Sequence, residues 1–168
     1  NGFQKLHPRH AEYKSVTRTI VPDLDVARFP ERPIVPFGKP VHDRLRIELA
    51  RGCTRGCRFC QAGMIYRPVR ERSLENLRAI MDKALVGTGY DDISLLSLST
   101  GDFSCLTPLM KDLILQHRSE PVAISLPSFR AGTLTPEMMG LVKEVRKTGF
   151  TIAPEAGSER LRRVINKN

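Results

Sequence analysis

Residues 45–60 have the sequence Leu-Arg-Ile-Glu-Leu-Ala-Arg-Gly-Cys-Thr-Arg-Gly-Cys-Arg-Phe-Cys, a strand-like half followed by a cysteine-rich half. Apolar and polar side chains alternate over residues 45–50, which is typical of a half-buried β-strand. Cys53, Cys57 and Cys60 follow on a glycine-containing loop. Three of the chain's four cysteines therefore lie on one short loop at the carboxyl end of a predicted strand, in the spacing Cys-x3-Cys-x2-Cys.

The spacing of these cysteines indicates a compact metal centre. Cysteines this close together are poorly suited to a disulfide framework, which usually joins distant segments. A structural zinc site usually has four protein ligands, and no second Cys-x2-Cys or His-x3–5-His pair is present. Three cysteines would leave one iron of a 4Fe–4S cluster open to a substrate or cofactor. The loop therefore predicts a reactive iron–sulfur site, and a zinc-binding interaction domain is the alternative.

Length and composition bound the rest of the chain. Its 168 residues, 40% hydrophobic and 27% charged, suit one soluble globular domain. Without a long apolar run or a signal-peptide pattern, a cytoplasmic location with no membrane contact is favoured. Prolines punctuate residues 1–43, which we expect to form an extended, irregular connector. Because the chain starts with Asn1 and stops within a repeating pattern, we expect residues 44–168 to be the N-terminal part of a core domain that is truncated at its C-terminus.

The formal net charge of +9 suits two kinds of anionic partner. Arginine and lysine neutralise phosphate, which favours a nucleic acid such as RNA. They also suit an anionic cluster and its ligand. Aromatic residues of the kind that stack on single-stranded bases are not interleaved with the arginines, and charge alone leaves the choice open. Many arginines flank the cysteine loop: Arg51, Arg55, Arg58, Arg67, Arg70 and Arg72.

Strand-like and helical patterns alternate from residue 44 onward. The strand-like runs are 44–50, 92–98, 121–126 and 149–153. Helix start signals lie at Ser73, Thr107-Pro108, Thr135-Pro136 and Ser158. We expect the first helix to stop at Gly87 and Gly89, and the fourth to bury Leu161, Val164 and Ile165.

This alternation predicts an α/β fold. Strand–helix–strand units favour parallel strands with right-handed crossovers. About four such units would form a partial (β/α) barrel, and part of an open doubly wound sheet is the alternative. In both architectures ligands bind at the carboxyl ends of the strands. We therefore expect residues 53–60, 99–102, 128–130 and 155–158 to surround one mouth.

The cysteine motif, with Phe59 before the last cysteine, resembles the signature of the radical S-adenosylmethionine (SAM) superfamily. The resemblance covers residues 44–168. Within the superfamily, residues 51–63 and 154–162 most resemble uncharacterised bacterial Fe–S oxidoreductases that often carry an upstream cobalamin-binding-like domain. The chain is more distantly similar to the tRNA methylthiotransferases and the oxygen-independent coproporphyrinogen oxidases.

The resemblance implies a chemistry and its cofactors. Cys53, Cys57 and Cys60 would ligate a 4Fe–4S cluster whose fourth iron binds S-adenosylmethionine. Reductive cleavage would give a 5′-deoxyadenosyl radical, which abstracts hydrogen from an unknown small-molecule or RNA substrate. A donor such as flavodoxin or ferredoxin would supply the electron. Cobalamin, held by a domain outside these residues, is a further cofactor that the resemblance suggests.

The resemblance also assigns cofactor-binding residues on the loop and after the second strand. Phe59 would lie beside the adenine, and a packing residue beneath the loop is the alternative. The second strand of the family usually ends in a Gly-Gly-Glu turn that binds the methionine amino group. Thr100, Gly101 and Asp102 stand in its place, so the acid is shorter and one glycine is missing.

Later strand ends carry the remaining assignments. Ser128 and Arg130 would meet the ribose or the carboxylate, because an arginine fork suits a carboxylate. Glu155 matches an acidic position used for the ribose hydroxyls, with a role at the start of a helix as the alternative. Cys105 lies outside the motif, and we expect a small buried residue beside the second helix. As a fourth ligand it would instead indicate a non-catalytic Fe–S electron-transfer module.

Overall fold

The structure, a computed structural model, describes residues 7–12, 17–119, 122–127, 129–144 and 152–167. Its strands are β1 (Leu45–Glu48), β2 (Ala50–Arg51), β3 (Arg70–Glu71), β4 (Asp92–Leu96) and β5 (Ala123–Ser125). Its helices are α1 (Ala62–Ile65), α2 (Leu74–Thr88), α3 (Leu106–Gln116), α4 (Pro136–Glu144) and α5 (Glu159–Val164), with 3-10 turns at Thr100–Asp102 and Ala131–Thr133. Within these ranges, none of the helices combines the length and apolar character that a membrane span requires.

Three strands form a parallel sheet in the order β1-β4-β5. Leu45 pairs with Ile93, which in turn pairs with Ile124. Helices α2 and α3 connect the three strands, as parallel neighbours require. The α/β class with parallel strands is therefore confirmed.

The predicted fourth strand, 149–153, lies largely outside the described residues. Its one described pairing is an isolated parallel bridge between Phe129 and Ile152. The partial barrel accordingly stays a prediction.

The strands are shorter than the sequence pattern predicts. The prediction of one strand over 44–50 is wrong, because β1 ends at Glu48 and the chain leaves the parallel sheet after one more hydrogen bond, from the Leu49 N–H to the Leu96 carbonyl at 2.9 Å. Ala50–Arg51 instead pairs antiparallel with Arg70–Glu71. The second and third strands occupy only 92–96 and 123–125 of the predicted runs. The polar exits after these strands are correspondingly longer.

Helix α2 begins where its cap residue predicts. The Ser73 hydroxyl accepts a hydrogen bond from the Asn76 N–H at 3.1 Å, which satisfies a donor of the first turn. The predicted stop at Gly87 is wrong, since the helix continues to Thr88. Gly89 ends it with a φ of 70°, in the left-handed region that glycine adopts easily.

The starts of α3 and α4 differ in how well the sequence predicts them. The predicted start of α3 at Thr107-Pro108 is wrong, because the helix begins at Leu106 with Cys105 at the N-cap position. Pro108 fits within the first turn, where its missing N–H has no intrahelical partner to lose. Helix α4 follows its predicted cap, since the Thr135 hydroxyl accepts from the Met138 N–H at 3.1 Å.

Helix α5 has its predicted cap but not its predicted inward face. Ser158 accepts from the Leu161 N–H at 3.3 Å. The expectation that Leu161 and Val164 are buried is wrong, because they are 52% and 50% exposed. Of the predicted three, Ile165 is partly buried. The C-terminal turn of this short helix contacts the cysteine loop. The apolar side of the helix is exposed.

Residues 21–27 lie against the start of α2 and are part of the packed structure. Leu24 is fully buried. The Arg72 side chain, also buried, donates to the carbonyl oxygens of Leu24 and Ala27. The Ser73 N–H donates to Asp25 Oδ1 at 3.0 Å. This part of the predicted connector is therefore fixed by both apolar burial and hydrogen bonds.

Candidate functional site

The cysteine loop is closed at its base by the β2–β3 ribbon, so its two ends lie side by side. Gly52 follows β2 with a φ of +99°, and a Cβ there would collide with the carbonyl oxygens of Tyr66 and Pro68. Arg51 donates to Glu48 through Nε at 2.9 Å and Nη2 at 2.7 Å. This bidentate bond holds the pKa of Glu48 below its ordinary value. The positive φ of Gly52 and the ion pair between Arg51 and Glu48 together fix the conformation at the start of the loop.

The three motif cysteines are free thiols that are partly exposed. The Cys60 N–H donates to the Cys57 carbonyl at 3.0 Å, so the end of the motif forms a tight turn. Helix α1 follows directly. Among the described residues, no three His, Cys, Asp or Glu side chains are gathered closely enough to hold a metal ion. The cysteines share one loop, and their side chains would have to turn toward each other to share a ligand.

Arg130 follows β5 in the chain, and its side chain contacts the cysteine loop. Its Nη1 donates to Cys57 Sγ at 3.1 Å. The side chain predicted to meet a ribose or carboxylate therefore contacts a thiol in this structure. The contact restrains the sulfur of the middle cysteine of the motif. Ser128, the other prediction at this strand end, lies outside the described residues.

Asp102 lies opposite the loop and is paired with Arg55. Arg55 donates to its carboxylate through Nε at 2.6 Å and also through Nη2, while the Ser99 hydroxyl donates at 2.7 Å. The bond from Arg55 is the main cause that holds the pKa of Asp102 below its ordinary value, against the opposing effect of burial. The predicted acid is thus ionised and oriented by a loop residue between Cys53 and Cys57.

A cleft of about 540 Å³ separates the loop from the end of β4. Its lining includes Gly52, Cys53 and Arg55 from the loop and Ser99 and Asp102 from the other side. The expectation that strand exits meet at one mouth is met for these two segments. The cleft thus places a cysteine beside a carboxylate–guanidinium pair.

Thr100 and Gly101 shape the turn that carries Asp102. Thr100 is fully buried, with its hydroxyl 3.0 Å from that of Ser97. A Cβ on Gly101 would collide with the Thr133 hydroxyl, so glycine lets the turn approach the residues after β5. In this arrangement both predicted cofactor-binding residues contribute to the conformation of the turn.

Phe59 and Glu155 are brought together by Lys167. Phe59 is 56% exposed, and Lys167 Nζ lies 5.7 Å from its ring centroid, within cation–π range. The same Nζ donates to Glu155 Oε1 at 2.8 Å. Two residues predicted from distant strand ends to bind one cofactor therefore border the same side of the loop.

The turn after α5 contacts the loop through its backbone and one side chain. Asn166 Nδ2 donates to the carbonyl oxygens of Arg55 and Gly56, each at 3.0 Å. The Arg58 N–H donates to the Ile165 carbonyl at 2.9 Å. Sequence reasoning missed Asn166. Its one signal is that asparagine tolerates a positive φ at the end of a helix, which does not identify the partner.

Cys105 is separate from the motif. It occupies the N-cap position of α3 and packs against the hydrophobic core, where it is partly buried. Its sulfur lies 3.7 Å from the Ser104 hydroxyl. The expectation is a small buried residue beside the second helix; Cys105 does lie beside that helix, but it is only partly buried.

Comparison with known proteins gives a family. The radical SAM superfamily profile matches residues 47–168, which is most of the chain. The chain belongs to the radical SAM superfamily. It is also 40% identical, over 122 residues, to an uncharacterized protein of Methanocaldococcus jannaschii. That match covers 73% of this chain and 26% of the relative, so the chain spans about a quarter of the relative's length.

Membership of the radical SAM superfamily confirms the resemblance drawn from the cysteine motif and implies a 4Fe–4S cluster and S-adenosylmethionine as cofactors. Proteins of the superfamily are generally enzymes. The donor set fits the cluster in kind: three free cysteines on one loop, with a guanidinium on one sulfur. The adjoining cleft supplies charges of both signs, which suits a zwitterionic ligand.

Proposed function

We propose that this chain is part of a radical SAM enzyme, with its 4Fe–4S cluster held by Cys53, Cys57 and Cys60. One observation carries the proposal: the three free thiols share a loop that follows β1, and the first of them, Cys53, lines a charged cleft. Parallel α/β sheets bind ligands at the carboxyl ends of their strands. The proposed architecture is a partial barrel of about four β–α units, to which β1, β4 and β5 contribute three strands.

The cluster, when bound, would supply the electron that cleaves S-adenosylmethionine to a 5′-deoxyadenosyl radical, which abstracts hydrogen from the substrate. In this proposal the chain's own residues bind the cofactor, orient it and shield it from water. In this proposal Asp102 presents an ionised carboxylate to the ammonium group of the cofactor's methionine part. Arg55 and Ser99 hold that carboxylate in one orientation through their hydrogen bonds. A fixed charge in a cleft needs little reorganisation when its ligand arrives.

Arg130 serves the cysteine loop in this proposal. Its hydrogen bond to Cys57 Sγ restrains the position of that sulfur. Hydrogen bonds to sulfur also tune the reduction potential of iron–sulfur clusters. The contact predicted between Arg130 and the ribose or carboxylate of the cofactor stays a prediction.

The adenosine part of the cofactor would lie toward Phe59 and Glu155. The exposed ring of Phe59 offers a flat apolar face, and Glu155 carries carboxylate oxygens that suit ribose hydroxyls. Their shared contact with Lys167 supports a common site. The matching role of Ser128 stays a prediction from the resemblance.

The remaining partners are proposals that rest on the family. A donor such as flavodoxin or ferredoxin would reduce the cluster. Cobalamin, bound by a separate domain, is a proposal that rests only on the resemblance to the Fe–S oxidoreductases, and family membership does not support it. The substrate would be either a small molecule or RNA. RNA is the second candidate because Arg55, Arg58 and Arg67 are exposed around the loop. A binding affinity that falls steeply with added salt would support RNA, and a flat dependence would exclude it.

The enzymatic proposal is tested with the full-length protein. Protein purified anaerobically, reconstituted with iron and sulfide and then reduced, should convert S-adenosylmethionine to 5′-deoxyadenosine and methionine. Cys57→Ser should abolish the product and the cluster. Cys105→Ser is the matched control and should keep both, because Cys105 lies apart from the motif.

Three outcomes separate the alternatives. A wild-type protein that holds a cluster but forms no 5′-deoxyadenosine would support the non-catalytic electron-transfer module. Loss of the cluster in Cys105→Ser would point to the same alternative, with Cys105 as the fourth ligand. Zinc in place of iron in anaerobically purified protein would favour the interaction domain.

A further inference from the structure

We propose that Asn166 is a positioning residue for the cysteine loop, which it holds by clamping the backbone between Cys53 and Cys57. Its role in cluster retention rests on the proposed function, whereas the clamp itself does not. The loop is exposed at Arg55 and partly exposed at Gly56, so little apolar burial fixes it. Polar contacts must therefore supply much of its order.

The clamp uses both hydrogens of one side-chain amide. Asn166 Nδ2 donates to the carbonyl oxygens of Arg55 and Gly56, both at 3.0 Å, from a position 111 and 110 residues away in sequence. An amide NH2 has two donors, and these two carbonyls engage both. Gly56 has a φ of +67°, and a Cβ there would come within 3.4 Å of the same nitrogen. Contact at that distance is ordinary, so the positive φ of Gly56, and not the space around it, is what favours glycine here.

A backbone hydrogen bond extends the clamp past the second cysteine. The Arg58 N–H donates to the Ile165 carbonyl at 2.9 Å. Cys57 is consequently flanked by Gly56, held through its carbonyl, and Arg58, held through its N–H. Arg130 contacts the sulfur itself. The middle cysteine of the motif is therefore restrained on its backbone and on its side chain by separate parts of the chain.

Two requirements meet at Asn166, and asparagine satisfies both. Its φ of 56° closes the end of α5, where the Lys167 N–H donates to the Arg162 carbonyl at 2.8 Å and the Asn166 N–H to that of Arg163 at 3.1 Å. Glycine would adopt this φ but has no amide. Aspartate keeps the shape but offers only acceptors to two carbonyl oxygens. These two substitutions separate the backbone requirement from the hydrogen bonds.

Hydrogen exchange of the cluster-free protein tests the clamp directly. In the wild type the Arg58 amide should be protected. In Asn166→Gly its exchange should be about tenfold faster, and in Asn166→Asp faster still, because hydrogen bonds are lost and a carboxylate faces two carbonyls. Arg160→Gln changes an exposed side chain of the same helix and is the matched control, with no change expected. An unprotected Arg58 amide in the wild type, or unchanged exchange in Asn166→Gly, would overturn the proposal.

Cluster retention tests the positioning role. After anaerobic reconstitution, Asn166→Gly should lose iron to a chelator several-fold faster than the wild type, with an unchanged midpoint of global unfolding. A purely structural residue would lower that midpoint together with retention, and such a joint fall would overturn the positioning role. If the wild type takes up no cluster while the exchange results hold, the proposed function fails and the clamp stands.

Discussion

Both ends of the parallel sheet carry an arginine–aspartate pair, and the two pairs differ in how they are satisfied. At the carboxyl end, Arg55 donates two hydrogen bonds to the Asp102 carboxylate, and the Ser99 hydroxyl donates a third. At the amino end, Arg44 Nε lies 3.8 Å from Asp92 Oδ2. There, Arg44 Nε and Asp92 Oδ1 are buried without a hydrogen-bond partner among the described residues.

The pKa directions follow from this difference. Hydrogen bonding dominates at Asp102 and holds its pKa below the ordinary value, whereas burial dominates at Asp92 and raises its pKa. The charged pair is of the same kind at both ends, but its geometry and its neighbours differ: Ser99 donates to Asp102, whereas the nearby charge of Asp91 adds to the rise in the pKa of Asp92. The well-paired acid borders the cleft, while the poorly paired one lies at the opposite edge of the sheet.

The largest expected effect at the carboxyl end comes from Gly52→Ala. The substitution forces a side chain into a positive φ and against two carbonyl oxygens, so we expect a loss of about 3 kcal/mol or more in the free energy of unfolding. Denaturant titration measures it. Gly38→Ala is the control, with no atom near its Cβ and an expected change within about 0.5 kcal/mol. Equal effects at the two glycines would contradict the described loop base.

The next effect concerns the cofactor. Asp102→Asn keeps the shape of the side chain but removes its charge, so anaerobically reconstituted protein should bind S-adenosylmethionine about tenfold more weakly. Calorimetric or equilibrium-dialysis titration measures the affinity. Asp92→Asn, at the other end of the sheet, should leave it unchanged. An unaltered affinity in Asp102→Asn would place the ammonium site elsewhere.

The third effect is the pH dependence of the well-paired end. Because the pKa of Asp102 is lower in the folded state, its stabilising contribution is present above the ordinary value of 3.8 and is lost as pH falls through the folded-state pKa. The free energy of unfolding of the wild type should exceed that of Asp102→Asn by about 1 kcal/mol at neutral pH. The gap should close in acid. A gap that does not narrow as the pH falls below the ordinary value of 3.8 would show that charge is not its cause.

The smallest effect is at the amino end and has the opposite sign. The pKa of Asp92 is raised by burial, so the stability associated with its protonated form is lost as pH rises through the folded-state pKa. Asp92→Asn should therefore equal or exceed the wild type in unfolding free energy at neutral pH, by up to about 1 kcal/mol. A clear destabilisation at neutral pH would show that the Arg44 pair is favourable despite its geometry.

The sequence predicted the features that depend on local pattern. The cysteine spacing identified the family, and the cap residues Ser73, Thr135 and Ser158 marked three helix starts, because capping is a short-range interaction. Alternation of strands and helices gave the parallel α/β class. These signals lie within a few residues of the features that they predict.

The features that sequence did not predict depend on contacts between distant residues. β1 ends early because residues 50–51 pair instead with residues 70–71. The alternating pattern of residues 44–50 carries no information about that distant partner. The bond between Arg130 and Cys57 joins residues 73 positions apart. The exposure of Leu161 follows from where α5 lies, since the apolar face of a helix reports only a tendency to be buried. Tertiary placement decides each of these.

The contacts of residues 21–27 bear on where a truncated form of the protein could begin. A chain started at residue 44, where the repeating pattern begins, would lack Leu24 and would uncover the apolar surface that this side chain covers. It would also remove the carbonyl acceptors of Leu24 and Ala27 from the buried Arg72 guanidinium, and a buried donor left unsatisfied costs about 1–3 kcal/mol. A stable shortened protein should therefore retain the chain from about residue 21.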